Sequence, residues 1–295
     1  MKRLITLFLA SLFALSGCRT QQEPAQVAAT TLPVYEFTAR LCEGSGITVT
    51  RLITENVSCL HDYSLNVAQV RAAEAAELIV ISGAGLEEFM EDILPEESVL
   101  DSSSHINLLD GGHSHGHDHE DQEDHDHHHH DTDSHIWLSP DNAKQMAVNI
   151  CEGLSLHYPG KQALFEANLQ ALLADLDALT AYGRTELAAL SCRELITFHD
   201  GFSYLADSFD LTILEAVEEE SGSEASAAEL KHLIEEVRHH SLPAIFIEAN
   251  GSDSAASVIA RETGVSVYTL DMAMSGDSWF DAMYHNIDTL KEALG

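Results

Sequence analysis

A chain of 295 residues is long enough for two domains of ordinary size, and 45% hydrophobic residues supply a substantial core. Lys+Arg number 14 against Asp+Glu 49, for a formal net charge of −35. That balance excludes nucleic acid, whose phosphates need basic partners, and suits an exported protein that meets cations.

The chain opens on a targeting segment. Residues 1–3 (MKR) are a short basic run, and residues 4–15 are an almost unbroken apolar stretch. That stretch is too short to span a membrane and reads as a secretory signal. It ends in Leu15-Ser16-Gly17-Cys18, which is similar to a bacterial lipobox. The expectation is a signal peptide over 1–17, a lipidated Cys18 that anchors the chain to the outside of the cytoplasmic membrane, and a polar tether through residue 26. An ordinary signal peptide beside a chance cysteine is the plainer alternative.

From residue 27 onward, short apolar runs alternate with helical patterns. "VAATTL" (27–32) reads as a strand, "VYEFTARLCE" (34–43) as a helix ended by Gly44, and "ITVTRLI" (47–53) as a β-branched strand. "NVAQVRAAEAAE" (66–77) is helical, "LIVIS" (78–82) a buried strand, "GLEEFMEDIL" (85–94) a helix and "SVLDSS" (98–103) a last strand. Alternation of this kind predicts a parallel sheet flanked by helices.

Residues 111–134 contain no hydrophobic residue; nine histidines and eight acidic residues share them. The histidines are His113, His115, His117, His119, His125, His127, His128, His129 and His130. Such a segment cannot bury enough surface to offset its ordering entropy, so composition predicts disorder. Its imidazoles are mostly unprotonated near neutral pH and can ligate metal. A floppy chelator is ordered at each binding event, so it should hold several ions, each more weakly than a preformed site. The segment therefore reads as an accessory that gathers or senses metal. A solvated insertion with no metal role is the plainer alternative.

"SPDNAKQMAVNICEGLSLH" (139–157) is a helix with a Ser/Pro/Asp start signal. Tyr158-Pro159-Gly160 breaks it. Residues 161–190 then hold no Pro and a single Gly, with Leu169, Leu172, Leu173, Leu176 and Leu179 near helical spacing. A helix of roughly 30 residues would be about 45 Å long, enough to lie across two domains.

The second half repeats the scheme. "ELITF" (194–198), "LTILEAV" (211–217), "AIFIEA" (244–249) and "VSVYTL" (265–270) read as strands. "GFSYLADSF" (201–209), a helix opened by the capping box Ser226-x-x-Glu229, "SDSAASVIARET" (252–263) and "SWFDAMYHNIDTLKEAL" (278–294) read as the helices. The predicted fold is α/β: an N-terminal lobe over 27–158 that includes the 111–134 loop, a bridging helix over 159–190, and a C-terminal lobe over 191–295.

Cys42, Cys59, Cys151 and Cys192 remain after Cys18. An exported chain sits where disulfides persist, and four cysteines allow three pairings. Cys42–Cys59 and Cys151–Cys192 are the expected bridges, although Cys59, two residues before His61, is also a conceivable thiolate ligand.

In α/β sheets, ligands bind where strands end and helices begin. Four residues stand in such connections: His61 in "CLHDYSLN", His135 in "DSHIWLSP", His199 directly after "ELITF", and Asp271 directly after "VYTL". Three imidazoles and a carboxylate suit tetrahedral zinc. Taken singly, a histidine is more often a core or surface residue, and Asp271 could be a helix N-cap. His105, His157, His232, His239, His240 and His285 keep that plainer reading.

"HDYSL", "HIWLSPDNA", "ITFHDGFSYLA" and "YTLD" occur in this order across the chain. Together with "TTLPVYEFTARL" near the start, they resemble the cluster A-I zinc/manganese solute-binding lipoproteins of bacterial ABC transporters. The resemblance covers nearly everything after Cys18. It implies two lobes bridged by one long helix, with His61, His135, His199 and Asp271 at the family's metal positions. It further implies a monomeric extracytoplasmic receptor that passes Zn²⁺ to a membrane permease driven by a cytoplasmic ATPase; the chain has no Walker motif of its own. Manganese members typically carry a carboxylate where this chain has His199, and nitrogen suits zinc better. Several zinc members carry a His-rich loop just before the second ligand. Two departures stand out: Leu60 replaces a glutamate found in some zinc members, and Met272 replaces the usual proline after the last aspartate. They leave the fourth ligand open between Asp271 and water. Two readings stay beside this one. The same fold could bind Mn²⁺ or another divalent metal, or three histidines with an open position could serve a zinc hydrolase, although no HExxH or HxxEH occurs.

Overall fold

The computed structural model describes residues 25–57, 60, 63–94, 96–111, 132–217, 225–249 and 251–295. The predicted signal segment, Cys18, Cys59, His61 and the nine loop histidines fall outside the described residues.

The first half runs β1 (Val27–Ala29), α1 (Leu32–Leu41), β2 (Val49–Arg51), α2 (Val67–Ala75), β3 (Leu78–Ile81), β4 (Val99–Asp101) and α3 (Pro140–His157). The long helix α4 (Gln162–Glu186) follows. The second half runs β5 (Glu194–Thr197), α5 (Ser203–Ser208), β6 (Thr212–Ala216), α6 (Ala227–His240), β7 (Ala244–Glu248), α7 (Ser254–Thr263), β8 (Ser266–Leu270) and α8 (Trp279–Leu294). Each half forms a four-stranded parallel sheet, in the orders β2-β1-β3-β4 and β6-β5-β7-β8. The two halves thus repeat one topology. Its switch points lie between β1 and β3 and between β5 and β7, where the connections leave toward opposite sides of the sheet.

Helix starts follow the sequence signals. Ser139 accepts from the Asn142 amide ahead of α3, with Pro140 in the first turn. Ser226 and Glu229 form the predicted capping box of α6, and Asn66 with Gln69 forms another at α2. One helical pattern resolves differently. Over 85–94 the backbone is a 3-10 helix, Glu88–Ile93. Residues Gly83, Ala84 and Gly85 all take positive φ (85°, 54° and 84°), which delays helix entry. Glu87 then turns its carboxylate inward instead of joining a helix face. It accepts from Thr30 Oγ1 at 2.6 Å, Ser82 N at 2.8 Å and Gly83 N at 3.0 Å, tying the end of β1 to the end of β3.

Helix α4 has 25 residues, shorter than the sequence pattern suggested, and is about 37 Å long at 1.5 Å per residue. Leu172, Leu176 and Leu179 are fully buried, each contributing about 2 kcal/mol by transfer. The helix packs against α1 and α3 of the first half and α8 of the second. One hydrophobic core therefore runs through both halves, from Val27 and Phe37 to Trp279 and Leu290. A second cluster, including Ile196, Val237, Ile245 and Ile259, fills the far face of the second sheet under α6 and α7. Among the described residues, no helix is long and apolar enough to cross a membrane.

The expected Cys151–Cys192 bridge is not formed: both are free thiols, as is Cys42, while Cys59 of the other expected bridge lies outside the described residues. Cys151 sits on α3 in the first half, whereas Cys192 precedes β5 in the second, so the fold assigns them to different lobes. Cys42 is the buried C-cap of α1, and burial pushes its thiol up to about 12. In a chain carrying Cys18→Ser and Cys59→Ser, Ellman's reagent should find three thiols after denaturation. In the native state only half-buried Cys192 should react quickly. Fewer than three thiols in denaturant would mean that a bridge forms.

Burial raises Glu87 from its ordinary 4.5 to about 7. The unfolded chain then releases this proton near pH 4.5 and the folded chain near 7, so this group lowers stability as pH rises between those values. The loss of stability from pH 5 to 8 should be about 2 kcal/mol smaller in Glu87→Gln than in the parent, by urea unfolding at each pH.

Candidate metal centre

The described part of the centre is a pair of imidazoles, one from each half. His135 lies in the connection between β4 and α3, at the start of a short 3-10 turn, Ile136–Leu138, and is 4% exposed. His199 lies two residues beyond β5, at that sheet's switch point. Their Nε2 atoms are 3.4 Å apart and their rings are perpendicular, at 88°. Two nitrogens bound to one tetrahedral zinc at the usual bond length stand about 3.3 Å apart. The pair is thus already spaced as two ligands of one ion.

Each ring has a carboxylate on the side of its other nitrogen, in bonding contact at His135 and farther off at His199. Asp133 Oδ1 lies 2.8 Å from His135 Nδ1 and also accepts from the His135 amide at 2.8 Å. Donation from Nδ1 leaves His135 Nε2 as a lone pair facing the cleft. The short Nε2–Nε2 contact is then favourable when His199 donates from its own Nε2. His199 Nδ1 is 3.8 Å from Asp200 Oδ1 and 3.9 Å from Glu248 Oε2.

Packing sets the approach of these groups. Trp137, fully buried beside His135, donates from Nε1 to the Met272 carbonyl at 2.7 Å. That bond draws the chain after β8 against the first half. Gly201 permits the opposing approach: a Cβ there would sit 2.8 Å from His135 Cδ2 and 2.5 Å from Met272 Cε. Met272, where the family usually has proline, is thus a buried packing residue.

Asp271 ends the same junction. Its Oδ1 accepts from the Ala273 amide at 2.7 Å. Its main chain is clamped by fully buried Asn286 of α8, which accepts from Asp271 N and donates to Asp271 O, both at 2.7 Å. Among the described residues, no three His, Cys, Asp or Glu side chains form a group that could hold an ion. The structure joins His135 to His199, leaves Asp271 committed to a local turn, and does not describe His61. Leu60, its neighbour, is buried. His232 and His240 pair with Glu215 and Glu194 on the second sheet, consistent with their plainer reading.

Sequence reasoning missed Glu248, Asp133 and Asn286. Glu248 is the last residue of β7, so the strand-end rule that selected His199 and Asp271 would also have found it. Asp133 has a weaker signal, a carboxylate two residues before a ligand candidate. Asn286 has none, since its register on α8 is visible only in three dimensions.

A family model described as the periplasmic zinc-uptake complex component A matches residues 27–293. The zinc-binding lipoprotein AdcA of Streptococcus pneumoniae serotype 4 is 30% identical over 98% of this chain, and the chain spans 60% of that protein's length. The high-affinity zinc uptake system protein ZnuA of Bacillus subtilis is 30% identical over 91% of this chain and 87% of its own. A crystal structure of ZnuA superposes with a TM-score of 0.78 at 27% identity, covering 92% of this chain and 100% of the other.

Asn286→Ala would strand a part-buried amide and carbonyl at Asp271. It should cost about 2–4 kcal/mol in denaturant unfolding. A cost below about 0.5 kcal/mol would show that the clamp is dispensable.

Proposed function

Because this chain belongs to the family of periplasmic zinc-uptake components, we propose that it is an extracytoplasmic receptor that captures Zn²⁺ between its lobes and hands it to a membrane permease with a cytoplasmic ATPase. The observation that carries the reading is the His135–His199 pair, drawn from two sheets yet spaced at 3.4 Å. Imidazole nitrogen favours zinc over harder divalent ions. His61 and Asp271 are the further ligands in this reading, with water as the alternative to Asp271. The chain is held at the membrane by lipidated Cys18, and the 111–134 segment gathers metal beside the cleft. The ion is transferred chemically unchanged. Neither the matched family nor the relatives above point to the hydrolase reading.

Binding comes from two faces that meet, so release requires that one ligand-bearing segment move away from the other. Zinc titration calorimetry on protein lacking residues 1–18 tests the assignment, run with and without residues 111–134 and repeated with His199→Ala. The expected result is one tight site that survives loop deletion and weakens at least about 100-fold in His199→Ala, as loss of a direct ligand exceeds the usual cost of removing its supporting groups. Tight binding that vanishes with the loop and persists in His199→Ala would locate the site in the histidine run instead.

A further inference from the structure

The ends of the His-rich segment are closed into a stem. Asp110 and Thr132 form an antiparallel bridge, and the Asp133 amide donates to the Leu109 carbonyl at 2.9 Å. Tyr204 of α5, from the other half, reaches into this stem. Its hydroxyl accepts from the Leu109 amide and donates to the Asp133 carbonyl, both at 2.9 Å. Tyr204 is 3% exposed, and burial pushes its phenol up to about 12, so it stays a donor at any physiological pH.

Asp133 itself is buried, at 5% side-chain exposure. Its Oδ1 holds both the amide and the Nδ1 of His135, while its Oδ2 is buried with no hydrogen-bond partner among the described residues. A carboxylate in a dry setting with one oxygen unused is costly. A local turn that needed only one acceptor would be served as well by asparagine or serine. What a carboxylate adds is negative charge directly behind an imidazole whose other nitrogen faces the cleft. That is the arrangement by which an outer carboxylate orients a metal-bound histidine and strengthens it as a donor.

We propose that Asp133 and Tyr204 are positioning residues for His135, so that its tautomer and aim are set jointly by its own lobe and by the opposite one. The inference rests on the reading of His135 as a zinc ligand. One short stretch of the second half then does three things: His199 supplies the facing nitrogen, Gly201 makes room for the His135 ring, and Tyr204 holds the main chain of the residue that orients it. The root of the His-rich segment is thereby part of the same hydrogen-bonded unit as the cleft imidazole.

The test uses the chain lacking residues 1–18, as parent and as Asp133→Ala, Asp133→Asn, Tyr204→Phe and His135→Ala. Long-range ¹H–¹⁵N spectra of the zinc-free proteins read the His135 tautomer, and competition with a chromophoric chelator reads zinc affinity. The parent should show the Nδ1–H tautomer. Asp133→Ala should show mixed tautomers and bind zinc about 100-fold more weakly. Asp133→Asn, which keeps an acceptor but loses the charge, should keep the tautomer and bind about tenfold more weakly; Tyr204→Phe should also lose about tenfold. An Nε2–H tautomer in the parent, or Asp133→Ala affinity within about threefold of the parent beside a crippled His135→Ala, overturns the proposal alone. Parent-like affinity in Tyr204→Phe removes Tyr204 from it. Tight binding in His135→Ala overturns the underlying metal-site reading. Should Asp133→Ala fail to fold, Asp133→Asn decides the matter: parent affinity there overturns the role of the charge.

Discussion

Two parallel sheets can share one ligand only if the connections leaving their strands face each other, and here that constraint is met by the docking of one chain segment. Residues 272–278, between β8 and α8, and Trp279 at the start of α8 belong to the second half by sequence but bond to the first. Trp137 donates to Met272 O, Leu32 N to Met274 O at 3.3 Å, Arg51 to Gly276 O at 2.8 Å, and Trp279 N to Glu36 Oε2 at 2.6 Å. Glu36 thereby completes the N-terminus of α8 from another lobe, where a carboxylate interacts well with the helix dipole. Phe37 packs edge-on against Trp279 at 5.1 Å within the same contact. With α4 packed against helices of both halves, the junction is a shared core rather than a hinge between independent domains. The 3.4 Å approach of His135 to His199 is a consequence of that docking.

Much of this was legible in the chain. All eight strands were legible as short apolar or β-branched runs; "LIVIS" and "AIFIEA" are apolar at nearly every position because central parallel strands are covered on both faces, while the edge strands β2, β6 and β8 are more open. The helix caps at Ser139 and Ser226 were legible because a cap is a local bond between residues three apart. What failed depended on contacts distant in sequence. The 3-10 turn over Glu88–Ile93 follows the positive-φ run at 83–85 together with a Glu87 that bonds back to Thr30, a contact no periodicity encodes. The expected Cys151–Cys192 bridge failed for a related reason: compartment argues that cysteines pair, but only the topology assigns these two to different lobes. In the centre, strand-end position selected His199 and Asp271, whereas Asn286, which clamps Asp271, and Asp133, which holds His135, carry little or no mark in sequence.

Charge acts at longer range. With 49 acids against 14 bases, the surface potential is strongly negative and draws cations toward the molecule, an effect that weakens with ionic strength. The basic side chains are mostly spent on architecture. Arg40 pairs with Asp175 of α4 and lies 5.1 Å from the Phe280 ring, Lys144 bridges Asp141 and Asp177, Lys291 pairs with Glu186, and Arg193 caps the carbonyls of Leu187 and Phe209. Such exposed pairs are worth a few tenths of a kcal/mol each. Their placement along α4 nonetheless ties positive charge to the scaffold.

On the proposed reading, the two chelators of this chain differ in preorganisation. A histidine-rich stretch gains affinity from many donors but is ordered anew for each ion. The cleft pair has its ordering supplied by the fold: buried Trp137 and Gly201 set the approach, Asp133 sets the tautomer of one ring, and the nitrogens already stand at the edge length of a zinc tetrahedron. Without an ion, two lone pairs at that distance would repel, so one imidazole must offer a proton to the other. The Asp133–His135 bond makes His135 the acceptor and His199 the donor. In the proposed receptor the ion would take the place of that Nε2 proton, while Asp200 and Glu248 stand 3.8 and 3.9 Å from Nδ1 on the other side of the ring. On that reading, the Nε2–Nε2 approach is a geometry that the fold holds ready for an ion, set by packing from both halves rather than by the ion itself.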